Sequence, residues 1–235
     1  MSSRTRLSFP VTLDECGRKS TISIVDPSSI TADNLALATW GSSVVLSNTL
    51  HKLPRPNLTG TGLKTSTVSV LELGAGTGLV GLSAAAIWKT TAVLTDLPPI
   101  VPNLEANIDL NRDVVARHGG EAHCGVLDWS SPDADVLSKQ IGTSSSARVV
   151  LAADTVYSEE HPELLCRAIA SRLERSREAR FIMCYPLRIG NLDYIRDLWQ
   201  RLESMALKSI QEGREELDQD WDEDVECEWS VWAWV

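Results

Sequence analysis

A glycine-rich segment carries the clearest chemical signal in this sequence. Glu72-Leu-Gly-Ala-Gly-Thr-Gly follows an apolar run and precedes a stretch rich in Ala and Leu, an order that predicts a strand, a loop and a helix. Gly74 and Gly76 would let the backbone approach a ligand closely, and Gly78 and Gly81 would allow close helix packing. Because a simple turn does not need several spaced glycines, we expect a nucleotide-type ligand site here.

Two acids near this loop indicate which ligand it would bind. Glu72 precedes the loop, where an acid is unfavourable for the pyrophosphate of a dinucleotide but suits a zwitterionic cofactor without phosphate. S-adenosylmethionine therefore fits better than NAD. Asp96 ends the next predicted strand about twenty residues further on, where an acid accepts hydrogen bonds from ribose hydroxyls. A role for Asp96 as a helix N-cap before Pro98 stays open.

Asp154 and Tyr157 follow the fourth predicted strand, Val149–Ala153. The carboxyl ends of the strands line the ligand crevice in an open α/β sheet, so we expect this pair to face the reacting centre. The alternatives are a helix cap for Asp154 and half-buried packing for Tyr157.

The elements that would position these residues alternate between strand and helix. The predicted strands are Val68–Leu73, Ala92–Thr95, Ala122–Leu127, Val149–Ala153 and Phe181–Tyr185. The predicted helices are Val101–Asn111, before the third of these strands, and Glu163–Arg177, before the last. Such alternation predicts an α/β fold with a mostly parallel sheet covered on both faces. The Pro- and Gly-rich residues 54–62 predict a connector, and residues 141–147 a surface loop.

Both ends of the sequence predict further strands and helices outside this alternating region. Residues 7–25 predict a hairpin that ends at Asp26-Pro27, and residues 31–53 predict a helix. A predicted helix over Leu192–Leu207 precedes an acidic run and the alternating residues 229–235, which predict a C-terminal antiparallel hairpin. We expect one domain over residues 1–235, with an N-terminal hairpin and helix in 1–53 and a Rossmann-like core in 67–235.

The composition limits the classes of partner and ligand that we expect for this protein. A net charge of -10 argues against a surface that neutralises phosphates, so we expect no nucleic acid and a basic partner instead. The five cysteines show no C-x-x-C spacing and indicate neither a zinc site nor a disulfide framework. No apolar run approaches the roughly 20 residues that cross a bilayer. We expect a monomer without metal or membrane, cytoplasmic and also nuclear.

The acidic run at residues 212–228 allows two interpretations. The first is a solvated loop between the last two strands. The second is a surface that recruits a Lys/Arg-rich protein segment.

Four separated motifs resemble methyltransferase family 16, the seven-strand protein lysine methyltransferases that act on elongation factors and chaperones. The motifs are Glu72-Leu-Gly-Ala-Gly-Thr-Gly, Thr95-Asp-Leu with Asn103 and Asn107 downstream, Leu127-Asp-Trp, and Ala152-Ala-Asp-Thr-Val-Tyr157. Trp40-Gly-Ser-Ser also matches, although the family commonly has an acid where this chain has Gly41. The resemblance implies a Rossmann-like seven-strand class I methyltransferase with a small N-terminal extension and S-adenosylmethionine as cofactor.

The resemblance also implies roles for single residues. Glu72, Gly74 and Gly76 would surround the methionine end and the ribose, Asp96 would hold the ribose, and Asp128 and Trp129 would border the adenine. Trp40 would lie over the cofactor; core packing is the alternative for both tryptophans. The full expected set is Trp40, Glu72, Gly74, Ala75, Gly76, Asp96, Leu97, Asp128, Trp129 and Ala153 for the cofactor, and Asp154 and Tyr157 for catalysis.

The implied reaction transfers a methyl group from the sulfonium to a lysine amine and leaves S-adenosylhomocysteine. Asp154 would orient the amine, and the ring of Tyr157 would hold its cationic forms. Asp154 would not accept the proton, because a carboxylate raises the pKa of a neighbouring ammonium. Two alternatives stay open, a small-molecule N-methyltransferase and a cofactor-binding partner subunit without turnover. Glu72 makes an NAD-dependent oxidoreductase the least favoured reading.

Overall fold

A computed structural model describes residues 5–26, 31–32, 35–36, 38–53, 58, 67–131, 146–217 and 226–235. The elements in chain order are β1 Thr5–Thr12, β2 Lys19–Asp26, β3 Thr31–Ala32, β4 Leu35–Ala36, α1 Gly41–Thr49, β5 Thr67–Leu73, α2 Leu79–Trp88, β6 Thr91–Asp96, α3 Val101–Arg117, β7 Glu121–Val126, β8 Ser146–Ala153, α4 His161–Arg172, β9 Arg180–Pro186, α5 Leu192–Ser204, β10 Leu207–Glu215 and β11 Cys227–Trp234. Short 3-10 turns follow α1 and precede α5.

The core is a seven-stranded sheet in the order β10-β11-β9-β8-β5-β6-β7. The five strands β5 to β9 pair in parallel, and β11 pairs antiparallel with both β9 and β10. The predicted mostly parallel sheet with a C-terminal antiparallel hairpin is confirmed. The predicted N-terminal hairpin is also confirmed, since β1 and β2 pair antiparallel.

Helices cover both faces of this sheet because successive side chains of a buried strand point in opposite directions. In β8, Val149 and Leu151 join the apolar cluster that contains residues of α1, α2 and α3. Val150 and Ala152 join the second cluster, which contains residues of α4 and α5. Every residue of α2 is buried, which explains why its sequence is apolar all round instead of amphipathic.

Asparagines on one side of α3 attach the N-terminal hairpin to the core. Asn103, Asn107 and Asn111 are buried and follow one another at helical spacing. Asn107 and Asn111 each accept from and donate to the backbone of β2, at Val25 and Ser23, as a neighbouring strand would. Asn107 also donates to the carbonyl of Thr77 at 2.9 Å, so the same side chain reaches the glycine-rich loop.

Several predicted boundaries are wrong. The helix predicted from residue 31 begins at Gly41. Thr31–Ala32 pairs with Leu35–Ala36, Thr39 donates two hydrogen bonds to Asp26, and Trp40 is extended. The helix predicted to reach residue 177 ends at Arg172, because the backbone of Leu173 bridges to Ala147.

Three further boundaries differ from the prediction. Helix α3 extends past Asn111 to Arg117, and α5 ends at Ser204 because Leu207 already begins β10. The acidic run is not a loop throughout, since residues 212–215 and 227–228 lie in β10 and β11. Residues 218–225, 141–145 and most of the predicted connector lie outside the described residues. Among the described helices, none is long and apolar enough to cross a bilayer.

Candidate active site

A cavity of about 920 Å³ opens at the carboxyl ends of β5, β6 and β8. The predicted site residues that line this cavity are Trp40, Gly74, Ala75, Gly76, Asp96, Leu97, Asp128, Trp129, Ala153, Asp154 and Tyr157. They come from segments far apart in sequence, and parallel strands bring their carboxyl ends to one edge of the sheet. Glu72 is not among the lining residues.

The glycine-rich loop follows β5 in left-handed backbone conformations. Gly74, Gly76 and Gly78 have φ angles of 63°, 55° and 90°, which glycine adopts without strain. A Cβ atom at Gly74 would lie 3.0 Å from Thr155 Cγ2 and 3.3 Å from the Trp129 ring. The loop therefore needs glycine both for its conformation and for the approach of its neighbours.

Asp96 holds this loop in place as well as lining the cavity. Its Oδ2 accepts the N–H of Gly76 at 2.7 Å, and its Oδ1 accepts the N–H of Leu97 at 2.7 Å. The helix-cap alternative does not describe Asp96, because α3 begins at Val101 and the residue at its N-cap position is Ile100.

Glu72 lies beneath the loop, and its expected contact with the methionine end of a cofactor stays a prediction. Only 2% of the residue is exposed, and its Oε2 accepts the N–H of Gly81 at 2.8 Å. Glu72 shares the face of β5 that carries Val70, so its side chain meets the start of α2. Burial, reinforced by the charge of Asp96 and opposed by the Gly81 bond, raises the pKa of Glu72 to about 8.

This raised pKa predicts a stability that decreases with pH. Between the ordinary glutamate value of 4.5 and about 8, the folded state keeps a proton that the unfolded state has lost. The free energy of unfolding should therefore fall across that window by roughly 2–4 kcal/mol relative to the Glu72→Gln variant, whose side chain does not titrate. Urea denaturation of both proteins from about pH 5 to pH 8 measures this difference. Parallel curves would contradict the buried, protonated state of Glu72.

Asp154 follows β8 with a φ of 53°, a left-handed conformation that aspartate tolerates better than most residues. Its side chain is 5% exposed, and its N–H donates to the carbonyl of Cys184. Arg188 donates to both carboxylate oxygens, from Nη1 at 3.0 Å and from Nη2 at 3.4 Å. Arg188 was not predicted as a site residue, although it follows the end of β9 and so satisfies the same strand-end rule.

His161 lies between two other aromatic rings that line the cavity, those of Tyr157 and Trp129. The ring of Tyr157 meets the ring of His161 edge to face at 4.2 Å, and Trp129 meets the same imidazole at 6.1 Å. The N–H of Tyr157 donates to Nδ1 of His161 at 3.3 Å, which requires that nitrogen to be unprotonated. His161 lines the cavity at the start of α4 and was also missed, because nothing in its local sequence marks it.

The remaining predicted residues complete the walls. Asp128 accepts both the N–H and the hydroxyl of Ser130, and Trp129 packs on the backbone at Gly74. Trp40 precedes α1 and is half-buried at the cavity. Packing explains why the residue after Trp40 is a glycine, because a Cβ at Gly41 would lie 2.5 Å from a side-chain carbon of Leu217. An acid at that position would not fit without movement of Leu217.

The arrangement provides two chemically different halves. One half has left-handed glycines, the flat ring of Trp129 and an acid beside the loop, which suits a nucleoside without phosphate. The other half has a buried carboxylate paired with an arginine, and aromatic rings line the same cavity, which suits a cation. In the part of the chain that the structure describes, no group of side chains could hold a metal ion.

Comparison with known proteins identifies the family. Residues 22–201 match the model of the lysine methyltransferase family. The protein-lysine N-methyltransferase EFM2 of Saccharomyces cerevisiae is 37% identical over 82% of this chain, and the chain spans 47% of that protein. The protein-lysine N-methyltransferase rrg1 of Schizosaccharomyces pombe is 31% identical over 97% of this chain and 73% of that protein.

Solved structures support the fold. The magnesium protoporphyrin IX methyltransferase of Synechocystis, solved with bound S-adenosylmethionine, aligns with a TM-score of 0.55 and 12% identity over 83% of this chain and 80% of that chain. This likeness shows the fold alone. The family is shown by the match over residues 22–201, which include most strands of the sheet. The chain therefore belongs to the lysine methyltransferase family, as its four motifs predict.

Proposed function

We propose that this chain transfers a methyl group from S-adenosylmethionine to the ε-amine of a lysine in a protein substrate. The observation that carries the proposal is the position of Asp154 and Tyr157, in the same cavity as the glycine-rich loop and Asp96. A cofactor held by the loop and an amine held by Asp154 would meet inside one enclosure. Most of the rate enhancement would then come from alignment of the two reactants.

The residues fit this cofactor. Gly74 and Gly76 leave the backbone open to close approach, and the carboxylate of Asp96 is an acceptor for ribose hydroxyls. The ring of Trp129 offers an apolar face to the adenine. The cavity volume of about 920 Å³ lies within the range of roughly 300–1,000 Å³ that is usual for ligand sites. Bound S-adenosylmethionine would supply an electrophilic methyl group on a sulfonium.

The chain's own residues would prepare the amine. Asp154 would attract and orient the ammonium, and the ring of Tyr157 would stabilise its positive charge. Lysine has an ordinary pKa near 10.4, so its amine must lose a proton before it attacks. Asp154 favours the charged form and is not the proton acceptor. Its role would be to hold the amine in line.

The charge at the cavity supports a protein substrate with a basic segment. Five carboxylates line the cavity: Asp96, Asp128, Asp154, Glu159 and Glu160. Glu159 and Glu160 are exposed at its rim, where a Lys/Arg-rich segment beside the target lysine could meet them. This complementarity agrees with the net charge of -10.

Incubation of the purified protein with radiolabelled S-adenosylmethionine and a cell lysate tests the proposal. We expect label in a protein band, and mass spectrometry of that band should find methylated lysine. Label only in small metabolites would instead support the small-molecule N-methyltransferase. Cofactor binding without any labelled acceptor would indicate a partner subunit without turnover.

The monomeric state and the cytoplasmic and nuclear location stay predictions. Sedimentation of the purified protein and imaging of a tagged full-length protein in cells test them.

A further inference from the structure

The acceptor half of the cavity contains a side chain of this protein that resembles the proposed substrate. Arg188 places its guanidinium on Asp154, with Nη1 3.0 Å from Oδ1 and Nη2 3.4 Å from Oδ2. The carboxylate is almost fully buried, whereas 25% of the arginine side chain is exposed. The positive group on Asp154 is therefore held from the solvent side of the cavity.

A lysine ammonium and this guanidinium require the same partner. Arginine binds a carboxylate through two parallel N–H bonds, and here it engages both oxygens of Asp154. An incoming ammonium must replace or share those bonds to reach the carboxylate. Among the described residues that line the cavity, Arg188 is the only lysine or arginine. The guanidinium of Arg188 would therefore compete with a substrate ammonium for Asp154.

Arg188 also contacts Trp40 while it is paired with Asp154. Its Cζ lies 5.5 Å from the centre of the Trp40 ring, within the range of a cation–π contact. The next residues form a short 3-10 turn in which Ile189 is 90% exposed, and a Cβ at Gly190 would meet no atom within 4 Å. The turn that follows Arg188 is therefore open to solvent.

Resting on the proposed function, we infer that Arg188 is a specificity-determining residue that occupies the lysine subsite at Asp154 until the substrate ammonium displaces it. Each methylation then begins with an exchange of one cation for another on the same carboxylate. A substrate protein with additional contacts at the rim can drive that exchange. An isolated amine or a short peptide has fewer such contacts and competes poorly, so the pair discriminates against them.

The experiment uses n-butylammonium, which has the length and charge of a lysine side chain, and protein saturated with S-adenosylhomocysteine. Titration followed by NMR gives its Kd for the wild type and for the Arg188→Ala, Arg188→Lys and Arg196→Ala variants. We expect Arg188→Ala to bind n-butylammonium roughly three- to tenfold more tightly, because one competing half-buried ion pair is gone. The Kd of n-butylammonium for Arg188→Lys should lie between those for the wild type and for Arg188→Ala. Arg196 pairs with Asp193 on the surface of α5, so its variant should match the wild type.

Equal or weaker binding of n-butylammonium by Arg188→Ala would overturn the inference. Loss of S-adenosylhomocysteine affinity in both Arg188 variants would overturn it as well, because Arg188 would then support the cavity itself. The titration needs no turnover, so it is independent of the lysate labelling. The wild type could label no protein while Arg188→Ala still binds n-butylammonium more tightly. That outcome would reject the proposed function but support the competition between Arg188 and an ammonium at Asp154.

Discussion

Replacement of Asp154 by asparagine is expected to reduce methyl transfer by about 100-fold or more, the size of effect that loss of a positioning group produces. The variant keeps the shape of the side chain, and asparagine tolerates the left-handed backbone at this position as well as aspartate does. It removes the negative charge that would attract the substrate ammonium and that now holds Arg188. Single-turnover transfer to the labelled acceptor protein is the measurement.

The cofactor half of the site should be unaffected by this change. Affinity for S-adenosylhomocysteine, measured by calorimetry, is expected to stay within about threefold of the wild type, a difference below 1 kcal/mol. Asp193→Asn serves as the matched control, because Asp193 is an exposed partner of Arg196 on α5 and does not line the cavity. Turnover of Asp154→Asn at the wild-type rate would remove Asp154 from the mechanism.

Replacement of Asp96 by alanine is expected to weaken S-adenosylhomocysteine binding by roughly 30- to 100-fold. The loss has two sources, the acceptor for the ribose hydroxyls and the bond that holds Gly76, and each charge-assisted bond contributes about 1.5–3 kcal/mol before relaxation. The 2.7 Å bond from the Gly76 N–H makes the loop depend on this carboxylate even before a ligand binds. Calorimetric titration of the purified variant measures the change.

Asp109→Ala is the control for this prediction. Asp109 is exposed on α3 and pairs with Arg112, so it tests the loss of one carboxylate away from the cavity. Asp96→Asn adds a graded variant, since its side-chain oxygen can still accept the Gly76 N–H but carries no charge. We expect Asp96→Asn to bind more tightly than Asp96→Ala. Wild-type affinity in Asp96→Ala would show that this acid holds no part of the cofactor.

Much of the site follows from two local patterns. The runs of β5, β6 and β8 are mostly apolar because their strands are buried on both faces, and an acid stands where β6 and β8 end. In a parallel sheet these ends lie along one edge, so Asp96 and Asp154 could be assigned to one cavity without coordinates. The spaced glycines mark a loop with left-handed residues, as Gly74 and Gly76 confirm.

Helix boundaries were less predictable, because long-range pairing competes with local periodicity. The apolar spacing around residues 31–40 suits a helix, yet Thr39 hydrogen-bonds to Asp26, Trp40 is extended and the helix begins only at Gly41. Likewise Leu173 continues the helical spacing of α4 but contributes its backbone to a bridge with Ala147. In both cases the partner contributes a pairing that the spacing of apolar residues does not report, and Ala147 also lies outside any window in which periodicity is read.

The sequence by itself determined the order of strands and helices, the glycine-rich loop and the acids at the strand ends, because burial and backbone freedom act on neighbouring residues. The tertiary structure decided where three polar side chains point. It turned Glu72 under the loop toward Gly81, joined Asp154 to Arg188 and set His161 against Tyr157. A side chain's partner depends on what packs beside its strand or helix, and for Glu72 and Asp154 that neighbour comes from a different segment of the chain.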